Sequence, residues 1–339
     1  MNLSNIRNKL LLSMLFGVGV YAVLTAYGDF KEVAESFGEF RWELLPLILA
    51  VTCGNYGLRF VKWEYYLRLV GVQGLSRANS FLIFFSGLGM VVTPGKVGEW
   101  LKSYLLKEVH GTPVTRSAPI LLAERLTDSL ALLVIGGVGV VFFGPEYWWV
   151  VAVIAGSSAV AVTVSRHRPA SLGLIGLLER LPGIRRFAPR FMDLYESTYI
   201  LMNPRAVLLM TAMSVFSWFF EVMAFYLTLV GLGVDGSADT LLKAAFILPI
   251  ATLAAAIVVI APGGLGVAEG LLATLSVRLL DMSKSGATVA TLIIRIATLW
   301  FGVAVGLAAF AVLTRKLARE GKSLDAGADT PMPAGDPAA

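Results

Sequence analysis

The sequence predicts an all-α polytopic membrane protein, with about six full spans plus two re-entrant helical hairpins in an inverted repeat. Three observations lead there. The chain is 57% hydrophobic and 15% charged, with mean hydropathy +0.75, against about 25% charge in an ordinary soluble domain. Apolar runs of about 20 residues, the length that crosses a hydrocarbon core, follow one another along nearly the whole chain. Two glycine-proline breaks interrupt that apolar sequence, Thr93-Pro94-Gly95-Lys96-Val97-Gly98-Glu99 and Ala261-Pro262-Gly263-Gly264-Leu265-Gly266-Val267-Ala268-Glu269. The interval from Glu99 to Arg125 recurs from Glu269 to Arg295, 26 positions each time, which marks a duplicated unit built on broken helices.

The first apolar run, 10–27, follows Arg7 and Lys9. It is read as a retained span, because no small-x-small cleavage site precedes the acidic stretch after it. An amphipathic connection leads to a second span, 44–69, whose far end carries Arg59, Lys62 and Arg68. The next apolar segment, 81–92, is too short to cross and return, and it stops at Pro94-Gly95. Arg68 and Arg77 precede it and Lys107 and Arg116 follow it, so both ends face one side and the segment reads as a re-entrant hairpin. A span over 118–143 reaches the turn Gly144-Pro145-Glu146-Tyr147-Trp148-Trp149, which suits an interfacial aromatic belt, and another returns over 149–164.

The connection 165–205 is the most basic in the chain, with Arg166, Arg168, Arg180, Arg185, Arg186, Arg190 and Arg205, and is assigned to the cytoplasm by the positive-inside bias. A surface helix is expected within it, near 172–181. A span over 206–232 leads outward to Asp235 and Asp239. A second hairpin, 241–260 and 265–280, breaks at Pro262-Gly263-Gly264, and the last span, 287–313, ends at Arg315, Lys316 and Arg319. Both termini are therefore expected in the cytoplasm. The organisation is one transmembrane domain over 1–315, made of units at about 44–143 and 206–313, and a disordered tail over 316–339. The first hairpin enters from the cytoplasmic side and the second from outside, so the repeat is inverted. Tyr66-Leu67-Arg68-Leu69-Val70-Gly71 is echoed by Tyr226-Leu227-Thr228-Leu229-Val230-Gly231.

Inverted repeats place a binding site at their interface near the midplane. Backbone groups of a re-entrant hairpin find no partners in lipid, so they must line protein or a watery cavity. The helices restarting at Val97 and Leu265 would offer N–H groups and partial positive charge to a phosphate. Charge inside an apolar span is costly and is a functional candidate by default. Arg125 lies in Glu124-Arg125-Leu126-Thr127-Asp128, whereas Arg295 has no acid nearby in sequence, so the repeat assigns it Glu269 and assigns Glu99 to Arg125.

Each pair is either a structural clamp between hairpin and span or a phosphate site in which the arginine binds bidentately and the glutamate yields. Lys96, which has Gly264 as its counterpart, is either a headgroup contact or a snorkelling lysine. Glu221, mid-span, is either a proton-coupling carboxylate or the partner of Arg59 or Lys62, and pairing is favoured. Arg59, Lys62 and Glu64 read as interfacial anchors. Cys53 has no intrachain disulfide partner and reads as a small packed hydrophobe. His110 and His167 lie in polar connections, so no metal site and no cofactor is expected.

The Thr93–Glu99 segment, the Glu124-Arg125-x-x-Asp128 segment and Pro262-Gly263-Gly264-Leu265-Gly266-Val267-x-Glu269, in that order, resemble the transmembrane region of lysylphosphatidylglycerol synthases and their stand-alone flippase-like relatives. The likeness covers roughly residues 5–315. It implies an inner-membrane protein that moves, or helps move, lipids or lipid-linked sugars between leaflets. Family members also accompany hopanoid and archaeal N-glycan pathways. No aminoacyl-transferase domain is expected after Arg319, so lysine transfer is not expected, and the missing P-loop argues against ATP-driven pumping.

The expected partners are membrane lipids, anionic or phosphate-bearing, together with lipid-biosynthetic enzymes. No nucleic acid is expected. Two other readings stay open: a membrane enzyme using Glu99, Asp128 or Glu269 as general base, and an accessory subunit that scaffolds a biosynthetic complex through the basic loop. Against the enzyme stand the lack of a metal-ligand cluster and of an activated Ser or Cys nucleophile.

Overall fold

The computed structural model describes residues 3–93, 100–179, 188–257 and 264–321, and every regular element among them is helical. Helix α1 (Leu3–Tyr27) and the amphipathic α2 (Phe30–Glu39) precede a first group of four: α3 (Leu45–Leu69), α4 (Arg77–Leu88), α5 (Leu101–His110) and α6 (Val114–Phe143). Then come α7 (Trp148–Arg166), α8 (Arg168–Glu179) and α9 (Ala188–Leu201). A second group of four follows, with α10 (Pro204–Gly231), α11 (Ala238–Ile257), α12 (Val267–Leu280) and a final helix made of α13 (Lys284–Arg295), one π turn (Ile296–Trp300) and α14 (Phe301–Arg319). Among the described residues, six helical stretches are long and apolar enough to cross a membrane: Trp42–Leu69, Val114–Phe143, Pro145–Arg166, Pro204–Gly231, Ala238–Ile257 and Lys284–Arg319. Val134, Val138, Phe142, Leu208 and Phe216 are exposed on these helices, which suits contact with lipid.

Three boundaries differ from expectation. Ala238–Ile257 is a 20-residue helix of spanning length, whereas its counterpart α4 has 12 residues. The basic connection carries two helices, α8 and α9, and the last helix continues through Arg315 to Arg319 because nothing in Thr314-Arg315-Lys316-Leu317 breaks it. The rest of the expected tail, 322–339, lies outside the described residues. Cys53 is exposed, not packed.

The two groups of four exchange their second helices. Helix α4 packs on α14 and α11 packs on α6, while α3 packs on α10. The interval from Arg125 to Arg295 also separates the first residues of α6 and α13, Val114 and Lys284. It separates Gly136 from Gly306 as well, and both glycines stand at the exchange crossings. A Cβ on Gly136 would lie 2.9 Å from Pro249 Cβ, and one on Gly306 would lie 2.0 Å from the Gly89 nitrogen. Glycine permits this approach of helix backbones.

Two apolar cores result. One gathers Ala131, Leu132 and Val140 of α6 with Val222 and Phe225 of α10 and much of α11. The other gathers Ile120 and Ala123 of α6 with Trp63 and Tyr66 of α3, Met210 of α10 and Leu313. Along α6 the change of core falls around Asp128, and along α10 it falls around Ser214 and Ser217. Polar side chains of both helices meet there.

A charged cavity where the two cores meet

A cavity of about 210 Å3 lies at this junction. Among the described residues, the charged side chains that line it are Arg59, Lys102, Glu124, Arg125, Asp128, Glu221 and Arg295, and both groups of helices contribute. Burying such charge costs several kcal/mol per ion unless each has partners of good geometry, so the partners decide the site.

Asp128 is 5% exposed and heavily ligated. It accepts from Lys62 Nζ at 2.7 Å, Arg59 Nη2 at 3.0 Å and Ser214 Oγ at 2.9 Å, and Lys62 also donates to Ser214 Oγ at 2.7 Å. These ligands come from α3 and α10, with Arg59 and Lys62 one turn apart on α3. This corrects the reading of Lys62 as an interfacial anchor: its ammonium is 3% exposed because α6 delivers a carboxylate to it. It also corrects the pairing expected of Glu221. Arg59 and Lys62 both go to Asp128, and among the described residues Glu221 forms no ion pair and accepts from Asn55 Nδ2 at 3.5 Å. Glu64 accepts instead from Ser80 Oγ.

Glu124, adjacent to Arg125, pairs with Lys102 Nζ at 2.6 Å. Lys102 sits 4.9 Å from the Trp63 ring centroid, a cation–π contact, and its stem fits against Gly87, where a Cβ would meet Lys102 Cγ at 2.5 Å. Sequence reasoning misses Lys102 as a site residue. Its signal is weak, because a lysine shortly past a helix break reads as the end of a hairpin.

The pair assigned by the repeat interval forms. Arg295 Nε donates to Glu269 Oε1 at 2.5 Å, with Glu269 fully buried. The other oxygen, Oε2, accepts from the Gly266 N–H at 2.6 Å, so one carboxylate both caps α12 and binds the arginine. Gly266 has φ +92, which requires glycine. The N-terminus expected to stand open at Leu265 thus begins at Val267 and is occupied by the protein's own anion. Arg295 Nη2 is buried without a hydrogen-bond partner among the described residues.

After Arg295 the helix widens into the π turn, and Tyr56 donates to the Thr298 carbonyl there. Gly302 makes room for that phenol, since a Cβ would lie 2.6 Å from the Tyr56 hydroxyl oxygen. Such turns cluster at functional sites. Arg125 and Gly264 also line the cavity. Pro94, Gly95, Lys96, Glu99, Pro262 and Gly263 lie outside the described residues, and with them the expected Glu99–Arg125 pair.

Ion pairs sealed at the junction of two cores, inside a bundle of membrane-length apolar helices, define a polytopic membrane protein with a polar intramembrane site. The chain belongs to the family described as lysylphosphatidylglycerol synthase TM region, whose model matches residues 11–306. A relative, Glycosyltransferase AglD of Haloferax volcanii, is 25% identical over 132 residues, 39% of this chain and 21% of that protein. The chain therefore matches about a fifth of that relative's length.

Proposed function

We propose that the chain is a lipid translocase, flippase or scramblase in type, that passes a phosphate-bearing headgroup between leaflets through the charged cavity while the hydrocarbon chains stay in the bilayer. The observation that carries this reading is Arg295, which lines the cavity and whose buried Nη2 has no hydrogen-bond partner among the described residues while Glu269 holds its Nε. A phosphate arriving there would displace the Glu269 carboxylate from Arg295, while Glu269 Oε2 keeps the Gly266 N–H.

The exchanged packing of α4 on α14 and α11 on α6 supports an inverted repeat whose halves swap roles in alternating access. Charge bias assigns both termini to the cytoplasm, and the family resemblance implies the inner membrane. Glu221, on the cavity wall without an ion pair among the described residues, is the candidate coupling carboxylate. The glycosyltransferase name of the Haloferax volcanii relative favours a sugar-bearing headgroup within the substrate class. No catalytic step is assigned to the cavity.

The test is leaflet-selective quenching of fluorescent phosphatidylglycerol in liposomes carrying the purified protein. Arg295→Gln and Arg125→Gln are each expected to slow equilibration by about tenfold, the scale of one lost charge-assisted anchor. Equilibration at the unmutated rate overturns the phosphate reading, and conversion of the lipid to a new species would make the protein an enzyme.

A further inference from the structure

A second space, of about 560 Å3 and almost wholly apolar, runs between α1 and α12. Phe16, Val20 and Val23 form one wall, and Gly266, Gly270 and Ala273 form the other. Cβ atoms added to Gly19 or Gly270 would meet nothing within 4 Å, so the groove is open at both positions. Helix α1 is held away from α12 by its packing on α13 and by the Trp300 indole, which donates to Tyr21 Oη at 2.7 Å. Glu269 lines this groove, and its partner Arg295 lines the charged cavity. Among the described residues, the polar and apolar spaces therefore meet at the Glu269–Arg295 ion pair.

That juxtaposition has the shape of an amphiphile, with an anion-binding guanidinium on one side of the partition and a hydrocarbon-lined channel on the other. We propose that the α1–α12 groove holds a hydrocarbon chain of the lipid whose phosphate binds Arg295, with the Glu269–Arg295 pair as the partition that opens when the headgroup enters. The proposal rests on the translocase reading of the cavity and adds where the chain lies and on which side the lipid enters.

The probe is phosphatidylglycerol with a diazirine in its acyl chain, present at low fraction in phosphatidylcholine nanodiscs with the full chain, and labelled peptides are mapped by mass spectrometry. Labelling is expected at Val20, Val23 and Ala273, normalised to Val153 and Val160 on α7, which report surrounding bilayer lipid. Gly270→Trp fills the groove and is expected to cut that labelling by about tenfold. Gly19→Trp does the same from the other wall and serves if the first variant fails to fold.

Arg295→Gln is expected to cut the groove labelling by a similar factor, because the chain is held there through its headgroup. Unchanged labelling in Arg295→Gln means bilayer lipid only and overturns the proposal, as does labelling unaffected by both tryptophan variants. Cross-linking of two copies through α1, with the groove unlabelled, overturns it too. Headgroup-dependent labelling in a protein that moves no lipid in liposomes would defeat translocation and leave the chain site standing. Movement without such labelling would defeat the chain site alone.

Discussion

Arg295 and Glu269, 26 positions apart in sequence, are joined at 2.5 Å, and the same Glu269 carboxylate accepts from the Gly266 N–H at 2.6 Å. One side chain therefore caps a helix and neutralises a cation. Arg295→Gln leaves a carboxylate that is fully buried, and breaking a buried pair costs about 3–5 kcal/mol. The double variant Glu269→Gln/Arg295→Gln keeps an amide oxygen to accept from the Gly266 N–H, and it is expected to recover at least half of that loss. Thermal unfolding in detergent and the resulting double-mutant cycle measure the coupling, and additive losses would mean that the pair does not act as one unit.

Asp128 holds two cations of unequal burial, Lys62 at 3% and Arg59 at 23% side-chain exposure. Lys62→Met is expected to cost about 3 kcal/mol or more, because it deprives a buried carboxylate and Ser214 together. Arg59→Gln is expected to cost about 1 kcal/mol. Unfolding temperatures of the two variants check the order, which reverses if Lys62 is only a snorkelling anchor.

Gly306 faces the Gly89 backbone at a distance that admits no Cβ. Gly306→Ala should destabilise by about 3 kcal/mol or block folding outright. Gly137→Ala, whose Cβ would meet nothing within 4 Å, is the control and should be neutral or slightly stabilising. Yield of monodisperse protein and melting temperature distinguish the two.

The Tyr56 hydroxyl donates to the Thr298 carbonyl in the π turn while its ring stacks 6.2 Å from Phe301. Tyr56→Phe keeps the stack and removes the donor, at an expected cost of about 1 kcal/mol. The more telling readout is transport. If the π turn positions Arg295, the rate falls while the melting temperature moves little, whereas proportional losses would mark a purely structural contact.

Glu221 lies on the cavity wall, where the Asn55 amide approaches it at 3.5 Å. Glu221→Gln should abolish any acceleration of lipid movement by an imposed pH gradient and leave the rate without a gradient within about twofold. A gradient response that survives removes Glu221 from coupling.

Much of this is legible in the sequence for definite reasons. Span length follows from the thickness of a hydrocarbon core, so the runs ending at Leu69, Phe143 and Gly231 are readable from apolar residues alone. The Glu269–Arg295 pair is readable because Arg295, with no acid nearby in sequence, stands at the repeated 26-position interval from Glu269. Lys62 and Lys102 are not, because a lysine near a helix end reads as a topology marker until another helix brings it an acid, as α6 does with Asp128 and Glu124. Cys53 is misread because hydropathy does not distinguish a side chain facing the core from one facing lipid.

The sequence by itself determined the solvent, the helical class, the repeated intervals and the requirement that buried charges find partners, since each follows from local chemistry and the cost of desolvation. The tertiary structure alone decided which bases meet Asp128 and Glu124. That choice depends on α3 and α5 packing against α6. Those contacts join residues far apart in the chain, whose meeting no local pattern encodes.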